Sequence, residues 1–206
     1  MKTLQLAGLS LLMSFAVSAE VSDELLGRYY TAAQGDYSEL DAVYKELKQA
    51  QEQDPGDAWT LFHYGAVEAL KGDDAFLPWS KMRFTENGLA RMDKALNMLD
   101  QQNWEQHFRG LPQALYMQAS AAATFTSVPD FFKVSEQGLA LFTDVIDHAE
   151  FNAAPAQATS WVYWRAIKAA KQHDRDAQAE DWYQKLQQSG VNDQYSAKAE
   201  TLMQQG

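Results

Sequence analysis

The chain carries one helical stripe twice. Between Pro78 and Leu99, the residues Met82, Thr85, Leu89, Met92, Leu96 and Leu99 recur in steps of three and four. That spacing places side chains on one face of an α-helix. Fifty residues later the pattern returns as Phe132, Ser135, Leu139, Phe142, Ile146 and Ala149, and Glu86-Asn87-Gly88-Leu89-Ala90 returns as Glu136-Gln137-Gly138-Leu139-Ala140. A repeat of this length constrains the fold strongly. Each copy exposes an apolar stripe that only a stacked neighbour covers. Gly88 and Gly138 hold the same phase in both copies. A glycine inside a helix costs about 1 kcal/mol relative to alanine, so its recurrence implies close approach of a neighbouring helix.

The remainder reads as helix after helix. Ser22 or Asp23 caps a first helix running to about Gln34, and Tyr37 to Gln53 follows. Asp54-Pro55-Gly56-Asp57 is a turn, with Asp57 placed to cap Ala58 to Lys71, and Gly72-Asp73 closes that helix. Pro78 suits the first turn of the long helix. Trp104 to Arg109 is expected to be a short helical turn broken at Gly110-Leu111-Pro112, and Gln113 to Phe125 a helix with an alanine-rich face. Ser127-Val128-Pro129 starts the second long helix. Pro155 to Gln172 and Asp174 to Gln188 form a further pair, and Asn192 or Asp193 caps a last helix through Met203. No segment alternates with period two over a useful length, so no sheet is expected.

Pro55, Leu61, Gly65 and Gly72-Asp73 are spaced like the end of one tetratricopeptide repeat and the first helix of the next. Val43, Leu47 and Ala50 fall where the second helix of that repeat has small and apolar positions. The chain resembles a degenerate member of the tetratricopeptide-like helical-repeat superfamily, most clearly over Tyr37 to Asp74 and more weakly over Trp161 to Leu186. It departs from the 34-residue period in the middle, where the repeat is 50 residues. The resemblance implies an all-α, right-handed α-solenoid of about four antiparallel helix pairs with a C-terminal capping helix. It also implies protein binding.

Residues 1–19 read as a secretory signal peptide. Lys2 is the basic start, Leu4 to Val17 a short apolar core, and Val17-Ser18-Ala19 a small-residue cleavage site before Glu20. Residues 20–206 are then one helical-repeat domain. The chain has no cysteine, so it has neither a disulfide nor a lipidated cysteine. An export signal without cysteine points to the periplasm. No second run is apolar enough for a membrane span. The formal net charge of −11 repels nucleic acid and anionic lipid, and as a whole favours a basic or polar partner.

No nucleophile motif or phosphate-binding loop is present, so no catalytic residue is assigned and no cofactor is expected. Asp144, Asp147, His148 and Glu150 lie close in sequence, but they read as a polar helix end, and no metal is expected. The informative residues flank the break at Gly110: Trp79, Arg83, Trp104, His107 and Arg109. Aromatic and arginine side chains combine contact area with fixed polar geometry and concentrate at interface hot spots. The opposing reading puts Trp104 and Phe108 in the core and pairs Arg109 with a carboxylate. The expected function is a non-catalytic periplasmic scaffold or adaptor that binds a peptide or protein segment of the cell envelope. The alternative is a small-ligand carrier with an aromatic-lined pocket inside the stack. A glycan-acting enzyme is a third.

Overall fold

The computed structural model describes residues 21–204. The expected signal peptide, with its cleavage point before Glu20, lies outside the described residues. The described chain is all-α apart from one small ribbon.

Helix α1 (Asp23–Ala33) begins where the Ser22 hydroxyl accepts from the Leu25 amide at 3.2 Å. A 3-10 turn, Tyr37–Glu39, leads into α2 (Leu40–Gln53). Asp57 caps α3 (Ala58–Asp74), its carboxylate accepting from the Trp59 and Thr60 amides at 3.2 and 2.9 Å. Pro78 opens α4 (Pro78–Leu96). Asp100 and Asn103 cap α5 (Gln101–Glu105) reciprocally. Strands β1 (His107–Phe108) and β2 (Leu111–Pro112) then pair antiparallel. The remaining helices are α6 (Gln113–Phe125), α7 (Ser135–Asp147), α8 (Ala149–Ala153), α9 (Ala156–Gln172), α10 (Asp176–Gln188) and α11 (Gln194–Gln204).

Consecutive helices pair: α1 with α2, α3 with α4, α6 with α7, and α9 with α10, while α11 packs on α9. The leading helices α1, α3, α6, α9 and α11 also touch one another in that order. Each trailing helix, α2, α4, α7 or α10, touches the leading helix that follows it. The buried apolar side chains form one cluster from Val21 to Ala199.

Close packing at glycine explains the repeated pentapeptide. A Cβ on Gly88 would stand 2.6 Å from both the Ala69 nitrogen and the Gly65 oxygen, and one on Gly138 would stand 2.7 Å from Thr126 Cγ2 and 3.0 Å from Ala122 O. Both glycines therefore mark a helix crossing that any side chain would force apart. Leu89 and Leu139, next in each copy, are buried to the same degree, 5 % exposed.

Several expectations fail at helix ends. Gly72 does not end α3, because it is a packing position: a Cβ there would meet Lys81 O and the Thr85 nitrogen, each at 3.0 Å. The second long helix is shorter than expected. A 3-10 turn spans Asp130–Phe132 and Lys133 is left-handed at φ 59°, so α7 begins only at Ser135. Leu99 falls beyond the end of α4, and Met82 is exposed. The expected helical turn at Trp104–Arg109 is α5 followed by the ribbon, so the expectation of no strand is corrected as well. Arg109 and Gly110 take φ of 51° and 84°. Two consecutive left-handed residues make the hairpin turn whose twist matches paired strands.

Candidate functional site

The starts of α3, α6 and α9 and the last turn of α1 converge on one aromatic assembly. Trp59, near the start of α3, lies 5.9 Å from Tyr116 near the start of α6, and Tyr116 lies 5.7 Å from Trp161 near the start of α9, centroid to centroid. From α1, Tyr30 stacks on Phe108 of β1 at 6.2 Å and hydrogen-bonds the Tyr116 hydroxyl. Phe108 fills the middle, 5.2 Å from Trp59 and 4.8 Å from Tyr116. The ribbon thus inserts one phenylalanine between three leading helices.

Arg109, at the tip of that ribbon, turns its guanidinium over the Tyr30 ring at 3.8 Å. The side chain is exposed and makes no ion pair among the described residues. The reading that paired Arg109 with a carboxylate is therefore replaced by a cation–π contact. A left-handed backbone costs a non-glycine residue about 1–2 kcal/mol, so an arginine at this tip is held by its surroundings rather than by local preference.

Burial pushes the phenols of Tyr29, Tyr30 and Tyr116 upward, keeping them neutral. His63 is fully buried beneath them, 4.3 Å from Trp59 and 5.5 Å from Tyr29. Its Nδ1 donates to the Trp59 carbonyl at 2.9 Å, while Nε2 is buried without a partner. Desolvation pushes the imidazole pKa down to about 4, so His63 is neutral and presents an unpaired acceptor.

The expected site residues divide into two groups. Trp104, His107 and Arg109 lie around the ribbon. Trp104 is half-buried and stacks on His148 at 4.9 Å, and His107 is exposed, with Nδ1 3.0 Å from the Glu105 carbonyl. Trp79 and Arg83 sit at the far end of α3, because α4 starts where α3 finishes. The rise from Trp59 to Asp74 separates the two groups by roughly 20 Å. Trp79 belongs instead to an exposed apolar corner with Phe76, Leu77 and Met82. His148 accepts from the Glu150 amide, and Asp147 pairs with Lys185. No three His, Asp or Glu side chains form a metal-binding group among the described residues. No described helix is long and apolar enough to cross a membrane.

Sequence reasoning missed Tyr30, Trp59, Tyr116 and Trp161 as parts of one assembly, in which Trp59 and Tyr116 are buried and Tyr30 and Trp161 half-buried. They come from four helices, and no spacing within a helix links them. The ribbon had a readable signal, a two-residue Arg109-Gly110 link between His107-Phe108 and Leu111-Pro112.

Comparison with family models, with curated proteins and with solved structures gives no match to this chain.

Proposed function

We propose that this chain is a non-catalytic protein-interaction module of the periplasm, whose leading helices bind a peptide or protein segment. The observation that carries the reading is Arg109. An exposed arginine without a carboxylate partner among the described residues is held in a left-handed turn over Tyr30, at one end of an aromatic row drawn from four helices. Beside that guanidinium the half-buried Tyr30 and Phe108 rings offer aromatic faces, the combination that protein hot spots use. Trp104 and His107 flank Arg109 on the same segment, whereas Trp79 and Arg83 form a second contact on the opposite end.

The order of helix contacts supports an α-solenoid of four pairs capped by α11, and the right-handed twist is taken from the resemblance to tetratricopeptide-like proteins. Export rests on the Lys2, apolar-core and Val17-Ser18-Ala19 series. The open form of the groove at Trp164 and Leu202 favours a peptide over the alternative, a carrier that encloses a small ligand.

The test is Arg109→Ala. Affinity for a partner captured from an envelope extract should fall by about 2 kcal/mol or more in calorimetry. Unfolding free energy in urea should move by less than about 1 kcal/mol, since the side chain is exposed. Unchanged affinity in a folded variant would remove Arg109 from the binding surface.

A further inference from the structure

The leading row does not share the acidity of the whole chain. Helices α6 and α9 contain no aspartate or glutamate, in a chain with 28 acidic residues. On α9, Trp161, Trp164, Arg165 and Lys168 follow at three, four and seven residues, which puts them on one stripe. Three cations gather on the Trp164 ring: Arg165 at 4.6 Å, Lys198 of α11 at 5.0 Å and Lys168 at 5.9 Å. None of the three makes an ion pair among the described residues, although Lys171 one turn along α9 pairs with Asp176.

Nearby carboxylates are engaged or turned away. Asp193 caps α11, accepting from the Tyr195 and Ser196 amides at 2.8 and 2.9 Å and from the Ser160 hydroxyl at 2.6 Å. Glu200 is two residues from Lys198, on another side of α11, and accepts from Gln204. Arg165 is open to solvent, yet desolvation by surrounding protein depresses its pKa, opposed only by Tyr195. Trp161, 5.7 Å from Tyr116 and one turn before Trp164 on α9, joins this cluster to the Tyr30 and Arg109 end.

Between α9 and α11 runs an open groove of about 520 Å³, floored by Trp164, Ala197 and Leu202 and edged by Lys168 and Lys198. We propose that this stretch, from Arg109 to Lys198, binds an acidic peptide segment. Its carboxylates would meet Arg109, Arg165 and Lys198, and an apolar side chain would lie in the groove against Trp164. The inference rests on the interaction-module reading and gives the partner its chemistry. Charge complementarity selects the occupant. Among the described residues Arg109, Arg165, Lys168 and Lys198 lack a carboxylate partner, and a short acidic segment supplies a similar number of charges. A nucleic acid or an anionic bilayer would bring many more phosphates against an otherwise acidic molecule.

The experiment is selection from a random dodecapeptide library on the immobilised protein at low salt, with the retained sequences read by mass spectrometry. The expected winners are enriched in Asp and Glu with an aromatic or aliphatic residue, and their binding weakens as salt rises. Arg165→Ala with Lys198→Ala, both exposed positions, should lower the affinity of a winning peptide at least tenfold with unchanged circular dichroism. Lys198→Glu should shift the selection toward Lys-containing and Arg-containing peptides, a readout that loss of folding would not produce. Winners without acidic enrichment would overturn the inference and leave the interaction-module reading standing. An absence of any winner would overturn both. Equal or tighter binding of phosphatidylglycerol vesicles or of a single-stranded oligonucleotide would overturn the assignment to peptide.

Discussion

The pairs α3–α4 and α6–α7 cross at the same glycine but are clad differently. Their glycine contacts align Gly65 with Ala122 and Ala69 with Thr126. In that register Glu68 corresponds to Phe125 and Arg91 to Leu141. The first pair thus holds an ion pair, Arg91 with a Glu68 side chain only 3 % exposed, where the second holds hydrocarbon. His63, buried and neutral, corresponds to the half-buried Ser120. The small residue at the crossing sets the helix approach in both pairs, and the flanking positions accept either polar or apolar cladding.

The largest expected effect tests the shared part. Leu89→Ala and Leu139→Ala should each cost about 2–5 kcal/mol in urea unfolding, because each empties an equally buried site. A near-zero change in either would break the equivalence of the two pairs.

The ion pair tests the difference. Burial holds the Glu68 carboxyl above its ordinary range even with Arg91 in contact. Arg91→Leu alone should cost about 3 kcal/mol, since it strands Glu68. Arg91→Leu with Glu68→Met gives the first pair apolar cladding like that of the second, and should recover to within about 1 kcal/mol of the parent or exceed it. A double variant as unstable as the single one would show that the polar cladding is required.

His63 gives the smallest effect and one confined to the first pair. Its folded pKa, about 4, lies below the ordinary value of 6.5. As pH falls below 6.5 the unfolded imidazole takes up a proton and the folded one does not, so stability is lost. Between pH 6.5 and 5 this group alone should remove about 2 kcal/mol. His63→Phe should abolish that component. Unfolding free energies of parent and variant at the two pH values measure it, and a difference independent of pH would contradict the buried neutral state.

The parts of the fold legible in sequence were those written in periodic residues. The stripes through Leu89 and Leu139, both packing glycines and the caps at Ser22, Asp57 and Asp193 all depend on neighbours within one or two turns. Helix ends were less legible. Phe132 continues the stripe by spacing but lies in a 3-10 turn, because Lys133 leaves the helical region before α7 begins. The site was least legible. Net charge averages over the whole surface and conceals that α6 and α9 carry no carboxylate. The meeting of Tyr30 with Tyr116, from helices 86 residues apart, is a property of packing and not of spacing.

That separation has a kinetic side. Helices here touch mostly their neighbours along the chain, so most native contacts close short loops, and short loops form quickly at small entropic cost. The hydroxyl contact between Tyr30 and Tyr116 closes a far longer one. From this topology the helix pairs are expected to assemble early and the aromatic row across them to be completed last.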